Sequence, residues 1–196
     1  MKRKTVFNVS ALITGFLLIS SFAISDDTAE FAPIAKTGQG ICYDGSGSII
    51  NCTGTGQDGE YQKGVAWPNP RFIDHRNGTV TDNLTGLMWT KDAQQVKGTI
   101  KWTNALTACN NLDLAGYTDW RLPNVKALLN LIDYREHDPA LPLGHPFDNV
   151  QIIFYWSSTN YDSLPLHAWG VYLYNGYAYN YHKATNAYVW PVRGGE

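Results

Sequence analysis

Two periods of hydrophobicity run along this chain. From Ala168 to Tyr174 apolar and polar positions alternate, Asn175-Gly176 interrupts, and Tyr177 to His182 alternates again, which predicts a hairpin. With Asn175-Gly176 as a two-residue loop, Tyr174 opposes Tyr177 and Tyr172 opposes Tyr179. Period two then places Tyr172, Tyr174, Tyr177, Tyr179 and Tyr181 on one face. Trp169, Val171 and Leu173 take the other face, with Ala178, Asn180 and His182. That second set holds the residues a core wants, so the tyrosine ladder is expected to face outward or into a groove.

Helical spacing appears twice. In Ile100 to Leu114, the residues Trp102, Ala105, Leu106, Cys109 and Leu112 form an apolar stripe, with Thr103 or a neighbour as cap and Gly116 as terminator. From Asn124 to about Tyr134, Val125, Leu128, Leu129 and Ile132 fall at i, i+3, i+4 and i+7, and Pro123-Asn124 supplies the start and the cap. The stretch before that helix, Gly116-Tyr117-Thr118-Asp119-Trp120-Arg121-Leu122-Pro123-Asn124, places a Trp and an Arg beside its N-terminus. Trp120 and Arg121 read as a packing wedge, with Asp119 or Asp133 as the expected partner of Arg121. Arg71 to Trp89 reads as strands around turns at Asn77-Gly78 and Asn83–Gly86. Ile152 to Thr159 reads as a buried strand and Tyr188 to Arg193 as a closing one, with Pro191 marking an edge or a bulge. Strands, two helices, a long loop and antiparallel strands together predict an α+β domain over residues 71–196.

The first 70 residues differ. Met1 to Lys4 is basic, Val9 to Ile24 is apolar, and Ala23-Ile24-Ser25 fits a cleavage site, so residues 1–25 read as a secretory signal peptide; an uncleaved anchor is the alternative. Residues 26–70 are a Gly-rich extension of loop and hairpin material, closed by Trp67-Pro68-Asn69-Pro70. Export permits disulfides, and Cys42 and Cys52 flank a turn, so a Cys42–Cys52 bridge is favoured over metal binding or free thiols. Cys109 lies in the helical pattern and reads as buried and inert. Without the leader's three basic residues, twelve of the 15 Lys and Arg face 17 Asp and Glu, which argues against a nucleic-acid surface. No further long apolar run follows, so no membrane span is expected after leader removal. Twelve Tyr and 7 Trp suit aromatic-rich β structure or an interaction surface.

Several ordered strings resemble a known family. Gly78-Thr79-Val80-x-Asp82, Thr85-Gly86-Leu87-Met88-Trp89, Leu114-Ala115-Gly116-Tyr117-x-Asp119-Trp120-Arg121-Leu122-Pro123-Asn124, Tyr155-Trp156-Ser157-Ser158-Thr159, Ala168-Trp169 and Val192-Arg193 look like the bacterial domain at the C-terminus of the Legionella collagen-like adhesin. The Trp-Arg-Leu-Pro element also resembles formylglycine-generating, sulfatase-modifying proteins. The resemblance implies a C-type-lectin-like fold, with two helices packed on twisted antiparallel strands. It makes Trp120, Arg121, Pro123, Asn124, Trp156, Ser157, Ser158 and Trp169 framework residues. Residues 160–188 look in composition like the variable binding face of retroelement-diversified relatives. Many related domains carry a Cys before the final Val-Arg; Trp190-Pro191 stands there in this chain, which leaves Cys109 without that partner.

The chemistry legible in these residues favours binding over catalysis. No Cys follows Cys109 to support formylglycine formation, and no Gly-x-Ser-x-Gly, His-Glu-x-x-His or phosphate-cradling loop is present. His137, His145, His167 and His182 are scattered among turns and strands. No cofactor is expected; calcium is the one candidate, because C-type lectins use it, with Asp133, Asp138 and Asp148 as available carboxylates. Trp67-Pro68-Asn69 and Leu122-Pro123-Asn124 lack the acidic partner of lectin calcium motifs. The ligand-binding set is Tyr172, Tyr174, Tyr177, Tyr179 and Tyr181, with Asn180, facing a glycan or a protein. Cross-strand tyrosine pairing that only supports the hairpin is the structural alternative. The expectation is a secreted, periplasmic or cell-surface adhesin-like module. A catalytically altered sulfatase-modifying relative and an oligomerising envelope component are the competing readings.

Overall fold

Asn77-Gly78 forms the turn its sequence predicts. Asn77 Oδ1 accepts from the backbone N–H (3.1 Å) and hydroxyl (2.7 Å) of Thr79, and Gly78 takes φ 90°, which favours glycine. In the computed structural model, which describes residues 34–195, this turn joins β3 (Phe72–Asp74) to β4 (Thr79–Asp82), and the Asp82–Gly86 turn leads to β5 (Met88–Thr90). Before them come β1 (Cys42–Tyr43), β2 (Ile49–Ile50) and a one-turn helix, α1 (Asp58–Tyr61). After them come β6 (Ile100–Lys101), α2 (Trp102–Asn110) and α3 (Val125–Leu131). The chain ends with β7 (Phe154–Asn160), β8 (His167–Tyr172), β9 (Tyr177–His182), β10 (Asn186–Ala187) and β11 (Val192–Arg193). The signal-peptide reading falls on residues 1–25 and lies outside the described residues.

Two larger sheets carry this α+β domain, beside the two-stranded pairs β1–β2 and β6–β10 among the described residues. One has the order β11-β5-β4-β3, the other β7-β8-β9, and every pairing is antiparallel. The last three-stranded sheet is covered on both faces. Tyr155 and Val171 on one face, with Leu173 beyond β8, join Leu128 and Leu131 of α3 and Trp89 and Trp190 in the larger core cluster. Phe154, Trp156 and Ala168 on the other face join Ala105 and Cys109 of α2 in the second cluster. Burial rather than propensity chooses the helical faces. In α3 the fully buried positions are Leu128 and Leu131, with Ala127 close behind, while Val125 and Leu129 are only partly covered.

Boundaries depart from the sequence pattern in physical ways. Ile100-Lys101 pairs with Asn186-Ala187, so α2 starts only at Trp102 and neither Thr103 nor the Lys101 side chain caps it. It stops at Asn110, before Leu112. α3 stops at Leu131, short of Tyr134, and its start follows expectation: Asn124 Oδ1 accepts from Ala127 N at 2.8 Å.

The framework motifs are one another's partners. The β7–β8 register slips between Trp156 and Asn160, a bulge that turns Ser158 and Thr159 away from β8. Ser158 N (2.8 Å) and Oγ (3.3 Å) then donate to Pro123 O, and Val125 N donates to Thr159 Oγ1 at 3.1 Å. Trp120 is buried, and the Arg121 backbone pairs with Val192 through two hydrogen bonds. The expected acid partners of Arg121 go elsewhere: Asp119 binds Arg193 (2.7 Å), Asp133 binds Arg135 (2.8 Å), and Arg121 Nη2 donates to Gly194 O (2.9 Å).

Cys42 and Cys52 form the expected disulfide, with Cα atoms 5.2 Å apart, closing the β1–β2 turn. The extension lies against the domain through backbone and side chain alike. Tyr134 N donates to Thr37 O at 3.0 Å, and the Arg71 guanidinium sits 4.4 Å from the Trp67 ring centroid. Among the described residues no helix is long and apolar enough to cross a membrane.

Replacing Asn124 by Ala removes the one side-chain cap of α3 and should cost about 1 kcal/mol. A urea midpoint that falls with an unchanged m-value would register it.

Candidate functional site on the C-terminal hairpin

The final hairpin closes through four residues, Leu173 to Asn175 with Gly176, not two. Tyr172 therefore opposes Tyr177, Gly170 opposes Tyr179, and Ala168 opposes Tyr181. The reason lies at the tip. A Cβ on Gly176 would stand 2.5 Å from the Ile132 side chain, so the turn is pressed against the end of α3, and Leu173 is drawn into the core beneath it. Tyr174 consequently belongs to the turn, where its ring lies 6.3 Å from His137, and is not a rung of the ladder.

Four tyrosines do share a face, and they share it with the second core cluster. Phe154 opposes Tyr172 and Trp156 opposes Gly170, so Phe154, Trp156, Gly170 and Tyr172 stand with Tyr177, Tyr179 and Tyr181. Helix α2 covers the β7 side of that surface and leaves the β9 side open. Gly170 is the hinge of the arrangement: an added Cβ would meet Phe154 Cζ at 2.4 Å and Tyr155 O at 2.2 Å. The Phe154 ring occupies the space a side chain would need, and Tyr181 stacks on it at 4.4 Å.

From there the surface grades outward. Tyr172 and Tyr181 are half-buried, packed against the cluster, with hydroxyls in direct hydrogen-bond contact. Tyr179 sits edge-on to Tyr181 at 5.8 Å and stacks on Tyr177 at 6.1 Å. Tyr177 and Tyr179 are 58% and 45% exposed on the edge strand of the sheet, and Tyr174 is 48% exposed at the tip. The sequence pattern predicts a five-membered ladder facing outward or into a groove; instead Tyr174 leaves it, Tyr172 and Tyr181 are anchors, and Tyr177 and Tyr179 present their rings. Asn180 is not brought to this face. Its Oδ1 pairs with His167 Nδ1 at 2.9 Å on the opposite side, where His167 and His182 face each other across the strands at 5.4 Å.

The hydrogen bond to Tyr181, then burial, pushes the Tyr172 phenol from 10.0 up to about 12. Burial alone pushes the Cys109 thiol up to about 12, which keeps it a thiol rather than a nucleophile. Asp133 is buried and bound by Arg135, Asp148 lies 3.7 Å from Lys91, and among the described residues no three His, Cys, Asp or Glu converge. The ring chemistry of the open face is flat apolar contact with phenol hydroxyls at its rim, suited to stacking and to short hydrogen bonds.

A model of the Lcl C-terminal domain family matches residues 78–193. The chain belongs to this family. The resemblance carried by the Trp-Arg-Leu-Pro-Asn and Tyr-Trp-Ser-Ser-Thr strings is therefore borne out, and the Lcl C-terminal domain match spans β4 through β11, the tyrosine face included. No curated protein matches the chain. The turn length and the Asn180–His167 pairing had no signal in the local pattern. Gly170 had one: a lone Gly within an alternating strand marks close approach of a neighbour.

Gly170→Ala should destabilise the fold by about 1–3 kcal/mol, read as a lower urea midpoint. The Tyr172 shift sets a second expectation. A raised native value keeps its stabilisation intact below the unfolded value of 10.0 and loses it as pH climbs toward about 12. Tyr172→Phe should take one tyrosine's amplitude out of the phase near pH 12 in an ultraviolet titration, leave the still later ionisation of the buried Tyr155, and flatten the loss of stability over that range.

Proposed function

We propose that the chain is an exported, adhesin-like binding module of C-type-lectin-like fold, not an enzyme, and that it meets a glycan or protein ligand on the exposed tyrosines of the C-terminal hairpin. The observation that carries the reading is the graded face itself. Tyr172 and Tyr181 are rooted in the core behind Tyr177 and Tyr179, so the outer rings are presented on a rigid base at small entropic cost. Tyr174 extends the surface at the tip. Membership of the Lcl C-terminal domain family supports an extracellular module, and the Cys42–Cys52 bridge suits an oxidising compartment. The buried, strongly protonated Cys109 supports binding rather than thiol chemistry.

The double variant Tyr177→Ala/Tyr179→Ala removes the outer rings and leaves Phe154, Tyr172 and Tyr181 in place. On a glycan array and on immobilised extracellular-matrix proteins it should bind at least about tenfold more weakly than the parent, with a melting temperature within about 2 °C. Undiminished binding by a folded double variant would refute the assignment. Light scattering of both proteins identifies the competing use of the face: a drop in mass in the variant makes it a self-association surface.

A further inference from the structure

A cavity of about 200 Å³ opens where the N-terminal segment meets the domain, and none of the hairpin tyrosines lines it. Its lining is unlike the rest of the surface: Lys36, Gln39, Gln62, Trp67 and Arg135 converge on it. The arrangement is built, not incidental. Trp67 Nε1 donates to Lys36 O at 3.2 Å, which fixes the indole, and the Arg71 guanidinium stacks against the ring. Gly38, at φ 93°, crosses directly over the buried Asp133; an added Cβ would lie 2.2 Å from Asp133 Oδ1. That crossing brings residues 36–39 beside Arg135. The same carboxylate holds Arg135 through Nε (3.2 Å) and Nη2 (2.8 Å), which leaves Nη1 without a partner among the described residues. Lys36 Nζ has no ion pair among the described residues. A smaller recess beside it shares Gln39 and Arg135 and is walled by Tyr43 and Tyr134.

We propose that this cavity is a ligand site for a ring-bearing carboxylate of monosaccharide size, distinct from the tyrosine face. Arg135 Nη1, the donor left over from the Asp133 pair, and the Lys36 ammonium supply two N–H donors for one carboxylate, with Lys36 carrying the charge that answers it. The amides of Gln39 and Gln62 donate and accept toward ring substituents. Trp67 and the tyrosines of the recess give the ring an apolar wall. Two sources share this chemistry, a uronic acid unit and an aromatic carboxylate. Lys36, Gln39, Gln62 and Trp67 precede the family-matched span of residues 78–193, and Arg135 lies within it, so the site joins the N-terminal segment to the matched domain.

Calorimetric titration of the purified protein with galacturonate, benzoate, methyl galactoside and benzyl alcohol tests the proposal. At least one carboxylate should bind saturably, with Kd below about 1 mM, and its neutral counterpart at least about tenfold more weakly. Galacturonate alone makes the source a sugar acid; benzoate alone makes it an aromatic acid. Lys36→Gln/Gln62→Ala, both surface changes, should weaken that binding at least about tenfold without moving the melting temperature, and Tyr177→Ala/Tyr179→Ala should leave it unchanged. Should the Lys36 variant melt early, Gln39→Ala serves as the second variant, with the same loss expected. Absence of saturable binding by both acids, equal binding of acid and neutral ring, or binding indifferent to the folded cavity variants would overturn the proposal.

Discussion

A buried ion pair joins the separate parts of this molecule. Arg71 and Asp82 are both almost wholly enclosed, with Nε–Oδ1 at 3.3 Å. Taking two charges out of water costs several kcal/mol per ion, and removing one partner alone would cost about 3–5 kcal/mol, so such a pair persists only where further contacts satisfy it. Here they do. Asp82 also accepts from Leu84 N and the Thr85 hydroxyl, which shapes the turn into β5. Arg71 donates to the carbonyl of Asn130 near the end of α3 and lies between Trp67 and Phe72, at 4.4 and 4.8 Å. One guanidinium therefore binds sheet, helix and N-terminal segment together. Among the described residues Arg71 Nη1 has no hydrogen-bond partner, and the Trp67 and Phe72 rings flank the guanidinium.

The second organising device is the β7 bulge. A strand that runs regularly sends every backbone group to its neighbours. By slipping register between Trp156 and Asn160, β7 frees Ser158 and Thr159 to hold Pro123 and Val125, and so fixes the start of α3. Trp156 Nε1 donates to Ile100 O at 3.0 Å and Trp102 Nε1 to Ser157 O at 2.7 Å, tying the same strand to the start of α2. Both helices thus take their position from one irregular strand, and that strand also supplies Phe154, the base of the tyrosine face.

Local chemistry was legible and long-range choice was not. The Asn77-Gly78 turn, the Asn124 cap and the Cys42–Cys52 loop depend on residues a few positions apart, and the chain displays each of them. The tyrosine ladder depends on a register, and Asn175-Gly176 looks like a complete two-residue turn when Ile132 is out of view. Arg121 shows the same limit: its nearest acids in sequence are claimed by Arg193 and Arg135, whose proximity only the fold creates. The cavity at Trp67 draws its lining from positions 36 to 135. No periodicity links those, because the extension is joined to the domain by a glycine crossing and a cation over a ring rather than by a repeating pattern.

The edge position of β9 bears on how this domain can change. Its partner on one side is β8, and its outer side chains contribute little to either core cluster. The anchors Tyr172 and Tyr181 hold the strand down, while Tyr177 and Tyr179 rest on it without supporting it. Side-chain identity at those two outer positions is therefore uncoupled from foldability. A substitution at either position changes what this surface presents, while the ion pair, the bulge and the stacked Phe154 continue to specify the same architecture.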